Sequence, residues 1–193
     1  MKRIFLMAVT GLALTAAPAL AQTTDYRATL DGNSTVNRSG SAATAIAVVS
    51  VDRTAKTVAI TMTVAGLPVD ALWDRLVAAP AGPVHLHRYA GSDLSDPNSA
   101  TLAFPVPFGA AFQSTATGFT VTTGAVPYAQ GAATLGLTTS FEDFVAAMDA
   151  GVIVLNIHTD AHNGGEISGQ VIADGTSPPP VAYTTPTDHS GHQ

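Results

Sequence analysis

Residues Thr57–Ala65 alternate without a break: Val58, Ile60, Met62 and Val64 fall on one side, Thr57, Ala59, Thr61 and Thr63 on the other. Side chains of an extended chain point alternately to its two faces, so a period of two marks a strand with one face in a core. A helix would scatter the same residues around its circumference. Shorter stretches of strand character recur at 26–30, 43–51, 83–89, 101–106, 118–123, 152–159 and 166–172. Turn-forming clusters separate them: Gly32-Asn33-Ser34 and Ser39-Gly40-Ser41 in a loop over 31–41, a hairpin connection over 52–56, Gly66-Leu67-Pro68, and a loop marked by Pro105, Pro107 and Gly109. Many short strands with such punctuation predict an all-β chain, an antiparallel β-sandwich or barrel.

One short helix interrupts this pattern. Ser140 precedes Phe141, Phe144, Val145 and Met148 at helical spacing, with Asp143 in the first turn and Gly151 beyond the end. The serine hydroxyl suits the orphan amides of the first turn, the aspartate suits the positive end of the helix dipole, and glycine suits the left-handed residue after the last turn. Residues 69–76, around the lone Trp73, read as a short helix or turn.

No cysteine occurs, so no disulfide can hold the fold, and the core must do so alone. The N-terminus carries Lys2 and Arg3, an apolar run over 4–14, and Ala19-Leu20-Ala21 with small residues in the cleavage-site pattern. This predicts a secretory signal peptide at 1–21, its apolar run too short for a membrane anchor. The expected location is periplasmic or secreted, with no membrane association after cleavage. Removing those 21 of 193 residues leaves 172, enough for one domain with a real core, expected at 22–174. Losing Lys2 and Arg3 takes the formal charge from −6 to −8 and leaves Lys56 as the one lysine. Nucleic acid is thereby excluded as a partner, because it needs a basic patch. Residues 175–193 contain Pro178-Pro179-Pro180 and end in Asp188-His189-Ser190-Gly191-His192-Gln193, which reads as a disordered tail whose two histidines hold metal weakly.

Chemistry concentrates in two places. In Val84-His85-Leu86-His87 the two histidines share one strand face, with side chains leaving the backbone about 7 Å apart. Within 152–172, Val154, Asn156 and His158 share a face, Glu166, Ser168 and Gln170 share another, and a turn with Asn163-Gly164-Gly165 joins the two runs. Here Val154 breaks an otherwise clean separation of polar from apolar. If these strands are neighbours, His85, His87 and His158 can converge on one ion, with His162 or Glu166 as a fourth ligand. Imidazoles suit zinc or copper.

These same residues resemble a known family. A His-x-His strand, a helix leading into Asn156-Ile157-His158-Thr159, and then Gly164-Gly165-Glu166-Ile167-Ser168-Gly169-Gln170 are similar to the CHRD domain, named after chordin and found in many exported bacterial proteins. The resemblance spans residues 24–174. It implies an immunoglobulin-like β-sandwich or barrel, from faint similarity to copper/zinc superoxide dismutases, and no agreed biochemical activity. Two departures from the family pattern are Ser168, where Arg is usual, and Arg88-Tyr89-Ala90-Gly91, where a glycine usually follows the second His directly. Set against the dismutases, His85 and His87 match the His-x-His element and His158 the later copper ligand. No bridging histidine lies between His87 and His158, no cysteine is available, and no arginine follows Arg88. Binuclear dismutase chemistry is therefore not expected.

Two readings follow. One is a non-enzymatic exported β-domain that binds an extracellular or periplasmic protein or surface ligand, its histidines hydrogen-bonded within a polar patch. The other is a mononuclear copper or zinc site at His85, His87 and His158. Nothing resembles a nucleophile–base pair, so catalysis is not expected.

Overall fold

The computed structural model describes residues 22–33 and 38–175. The predicted signal peptide and the histidine-bearing end of the tail lie outside the described residues. Eleven strands run in order: β1 (Thr23–Asp31), β2 (Thr44–Asp52), β3 (Thr57–Ala65), β4 (Val84–Tyr89), β5 (Ala100–Val106), β6 (Phe112–Ser114), β7 (Gly118–Thr122), β8 (Val126–Pro127), β9 (Ile153–Ile157), β10 (Ile167–Gln170) and β11 (Ile172–Ala173). Among the described residues three α-helices accompany them, α1 (Asp74–Val77), α2 (Tyr128–Thr134) and α3 (Phe141–Asp149), with short 3-10 turns at Val69–Ala71 and Pro97–Ser99. Every pairing is antiparallel, in one sheet of order β5-β4-β9-β10-β1-β2-β3-β7-β6, with β11 on β1 and β8 on β3. The all-β expectation is met.

The alternation in Thr57–Ala65 does what its period implies: Val58, Ile60, Met62 and Val64 are buried, while Thr61 and Thr63 face solvent. A single apolar core collects the inward residues of the whole sheet, from Phe104 and Val106 on β5 to Val58 and Ile60 on β3. A flat sheet cannot bring strands that far apart in its order to one core, so this sheet curls around it as an open half-barrel.

Helices close the open side. In α3, Phe141, Phe144, Val145 and Met148 are buried as their spacing predicts, Ser140 Oγ accepts from the Asp143 amide, and Gly151 takes φ +66°. Burying Phe144 and Met148 contributes about 1.5–3 kcal/mol each. The far end of α3 is tied to the sheet by Asp149, whose Oδ1 accepts from the Tyr26 hydroxyl at 2.5 Å and from Arg53 Nη2 at 2.8 Å. Burial, with the Asp149 carboxylate beside it, raises the Tyr26 hydroxyl pKa to about 12, so it stays a donor. The expectation of one helix is corrected: α2 also exists. Its sequence, with Gly131 inside and no charged residue, has little helical signature. Tertiary contact forms it, Tyr128 stacking on Phe144 with ring centroids 4.8 Å apart and Gly131 allowing Phe104 against the backbone. No described helix is long and apolar enough to cross a membrane.

Candidate metal centre

On β4, Val84 and Leu86 enter the main core, so His85 and His87 emerge on the opposite face of the sheet. On β9, Ile153, Leu155 and Ile157 point inward, and Val154 and Asn156 outward. The two strands are paired, with Asn156 opposite His85 and Val154 opposite His87. His158 follows β9 directly and its amide donates to the Pro83 carbonyl at 2.9 Å, which carries the pairing past the strand ends. The neighbourhood that the sequence left conditional is therefore real. The β4–β5 ladder shifts register between Leu86 and His87, with Ala103 the extra residue. Bulges sharpen twist and re-aim side chains, and here the His85 and His87 rings lean together to a centroid separation of 4.6 Å.

This outer face is covered over β4, β9 and β10. Tyr89, Val154 and Leu94 form a second small apolar cluster beside the histidines. Val154 thus faces outward as alternation demands and is buried because a loop folds over it. At the other end, the Trp73 amide donates to the His158 carbonyl at 3.0 Å, and the Trp73 ring lies 6.4 Å from the imidazole. Under this cover His85, Asn156, His158, Thr159, Glu166 and Ser168 are all buried polar residues.

The hydrogen-bond inventory of the three rings is incomplete in an informative way. His85 Nδ1 lies 2.9 Å from the Gly82 carbonyl and His158 Nδ1 lies 2.8 Å from the Asn163 carbonyl. A carbonyl only accepts, so each Nδ1 carries its ring's proton and each Nε2 presents a lone pair. Those two Nε2 atoms face each other at 3.1 Å. Among the described residues, both His87 nitrogens are buried without a hydrogen-bond partner. Buried polar atoms are nearly always paired, and two opposed lone pairs at contact distance repel unless something positive lies between them.

A proton is a poor candidate for that role. Burial, reinforced by the His158 and His87 rings, pushes the His85 pKa down to about 3 against the opposing pull of the Gly82 carbonyl. Burial, with His158 alongside, takes His87 to about 4, and burial lowers His158 although the Asn163 carbonyl pulls the other way. All three rings are neutral at pH 7, the form that ligates metals.

One donor from each of the three rings lies within 4.8 Å of the others. Nitrogens about 2.0 Å from a common ion stand no more than about 4 Å apart, so at most a small rotation of the His87 ring closes the set. No hydrogen bond opposes that rotation. The 3.1 Å pair alone would subtend about 100° at an ion with bonds of about 2.0 Å, near the tetrahedral angle.

Residues 26–171 match the CHRD domain family, most of the described chain and all the histidines of the site. The chain belongs to the CHRD domain family. No curated protein and no solved structure gives a significant match.

In this CHRD domain the other two candidate ligands are not in the three-histidine group. His162 is 40% exposed, and its Nε2 lies 3.7 Å from Glu166 Oε2, which also accepts from the Thr159 hydroxyl at 2.9 Å. The Thr159 hydroxyl in turn accepts from the His162 amide at 3.0 Å. The Gly-Gly-Glu signature thus ties the loop that carries Asn163, whose carbonyl orients His158. Its glycine has a clear steric cause: Gly165 adopts φ +138°, and a Cβ there would sit 2.6 Å from the Asn156 amide. Gly82 is a contributor the sequence reading missed. Its φ is +74°, and a Cβ would collide with the Val106 carbonyl. The Gly82-Pro83 pair directly before a His-x-His strand was the available signal.

Proposed function

We propose that this CHRD-domain protein is a mononuclear metal-binding protein whose ligands are His85, His87 and His158, and whose metal is copper or zinc. The observation that carries this reading is the pair of Nε2 lone pairs facing each other at 3.1 Å while both Nδ1 protons are committed to backbone carbonyls. Carbonyl partners on the second nitrogen are the usual way a protein fixes the tautomer and aim of a ligating histidine. Among the described residues no carboxylate joins the group, and the activity proposed is binding. The family resemblance and the signal-peptide pattern support a periplasmic or secreted setting.

Calorimetry on the chelator-treated chain tests this. Zn(II) or copper should bind with a stoichiometry of one, and His85→Ala/His87→Ala should weaken that binding at least 100-fold, about 2.7 kcal/mol. Unchanged affinity and stoichiometry in the double variant would remove the proposal. Sequencing the N-terminus of protein recovered outside the cytoplasm tests the export reading, with Gln22 expected as the first residue.

A further inference from the structure

We infer that the three-histidine site is matched to a monovalent copper ion, Cu(I), over Zn(II) or Cu(II). The inference rests on the metal-binding reading above and adds the charge of the ion.

Donor softness does not decide the matter, since imidazole serves zinc and copper alike. Charge does. The three donors are neutral rings, and no carboxylate belongs to the group. Glu166 lies on the same covered side of the sheet but outside the three-histidine group, its Oε2 accepting from the Thr159 hydroxyl at 2.9 Å and standing 3.7 Å from His162 Nε2. Asn156 Oδ1, a buried oxygen without a hydrogen bond, is also neutral. A fourth donor drawn from it would add no charge. Any ion therefore brings its full charge into a region where His85 and His158 are 3% and 6% exposed and the His87 nitrogens are out of contact with solvent. The cost of burying a charge grows with its square, so a divalent ion meets about four times the penalty of a monovalent one.

Coordination number points the same way. Zn(II) in proteins takes four ligands, and an open site supplies the fourth as water. Here three donors converge beneath a cover of loops, with Tyr89, Leu94 and Val154 forming an apolar wall to one side. Cu(I) is a filled-shell ion that accepts three nitrogen donors without a water.

The test uses the full chain and a second chain carrying His189→Ala and His192→Ala, which removes the tail histidines as competing ligands. Each is freed of metal and titrated under argon with Cu(I) against a chromophoric Cu(I) chelator, and separately with Zn(II) and Cu(II) against competitors suited to them. Ag(I) serves as a redox-inert monovalent probe. The only tryptophan, Trp73, lies 6.4 Å from His158, so its fluorescence reports occupancy of this site, and a response shared by both chains does not come from the tail histidines. Cu(I) should bind one per chain, at least 100-fold tighter than Zn(II), with Ag(I) changing the Trp73 emission in both chains. The Cu(II)/Cu(I) potential of the bound ion should lie above that of aqueous copper. His87→Ala should weaken Cu(I) binding without unfolding the chain, because His87 makes no hydrogen bond whose loss would matter. Zn(II) or Cu(II) binding as tightly as Cu(I), with dependence on His87, overturns the Cu(I) assignment and leaves the metal site standing. Histidine-independent binding of every ion overturns both.

Discussion

One sheet presents two outer faces of different kind. Over β1, β2, β3 and β7 the outward row Thr29, Ile46, Thr63 and Thr120 runs straight across four strands, and the next row is Arg27, Val48, Thr61 and Thr122. Water covers most of this face, and even Ile46 is 63% exposed. Over β4, β9 and β10 the outward residues are His85, His87, Asn156 and Ser168, and loops shut water out. The hydroxyl face can satisfy its polar groups with solvent at no cost. The histidine face cannot, yet it leaves His87 Nδ1, His87 Nε2 and Asn156 Oδ1 unbonded and sets two imidazole lone pairs against each other. A protein gains no stability from polar groups buried in this way. The metal-binding proposal accounts for this difference, because an ion would engage the groups that the covered face leaves unbonded.

The largest expected consequence is a pH dependence belonging to the covered face. In the unfolded chain the three imidazoles take up protons near pH 6.5, whereas folded His85 and His87 stay neutral down to about 3 and about 4, and His158 is lowered too. The unfolded state therefore binds more protons in this window. Stability of the metal-free protein is complete above pH 6.5 and is lost as the pH falls. Between pH 7.5 and 5.5 His85 and His87 should each remove on the order of 1 kcal/mol, and His158 adds to the loss in the same direction. Urea midpoints at the two pH values measure the loss, and His87→Leu should reduce it by about 1 kcal/mol. An unchanged pH slope in that variant would place the effect elsewhere, and the two faces would no longer differ in this respect.

Gly82→Ala should come next. The substitution forces a side chain into a left-handed conformation and against the Val106 carbonyl, and it shifts the carbonyl that holds His85 Nδ1. Strain and overpacking together should cost about 2–4 kcal/mol, read from chemical denaturation. Metal affinity should fall with it, since His85 loses its anchor. A variant that loses stability while keeping full affinity would show that the Gly82 carbonyl does not aim the ring.

The fold was legible where one physical rule acts alone. Val58, Ile60, Met62 and Val64 show their burial in their spacing, and Ser140 and Gly151 mark the ends of α3 by backbone chemistry. The pairing of β4 with β9 was not legible, since 73 positions separate His85 from His158 and no local pattern specifies partners that distant. Nor was α2, whose residues 128–134 become helical because Tyr128 finds Phe104, Phe141 and Phe144. Of the site, His-x-His and Asn-x-His showed which residues carry chemistry. The role of Asn163 was hidden, because what it contributes is a main-chain carbonyl, and every residue type offers one; Gly82-Pro83 marked a turn before β4 but not that the Gly82 carbonyl holds His85. His162 and Glu166 resembled ligands by residue type alone, and only their mutual contact through Thr159 shows what they hold together.

The sharpest comparison comes from two small substitutions expected to have unlike signs. His87→Leu removes two buried nitrogens that bond to nothing, so it should stabilise the metal-free protein by about 1–2 kcal/mol while weakening metal binding. A gain in metal-free stability paired with a loss of affinity is the signature of a residue retained for binding. Thr63→Ala on the open face removes a hydroxyl that water already serves, and should shift stability by less than about 0.5 kcal/mol and metal affinity not at all. Both are measured by thermal unfolding with and without added metal. If His87→Leu instead destabilised the metal-free chain, the ring would have a partner within the protein, the inventory of unbonded nitrogens would close without an ion, and the covered face would be a satisfied polar core. If Thr63→Ala altered metal-dependent stabilisation, the two faces would be coupled through β10 and β1, where Asp31 pairs with Ser168.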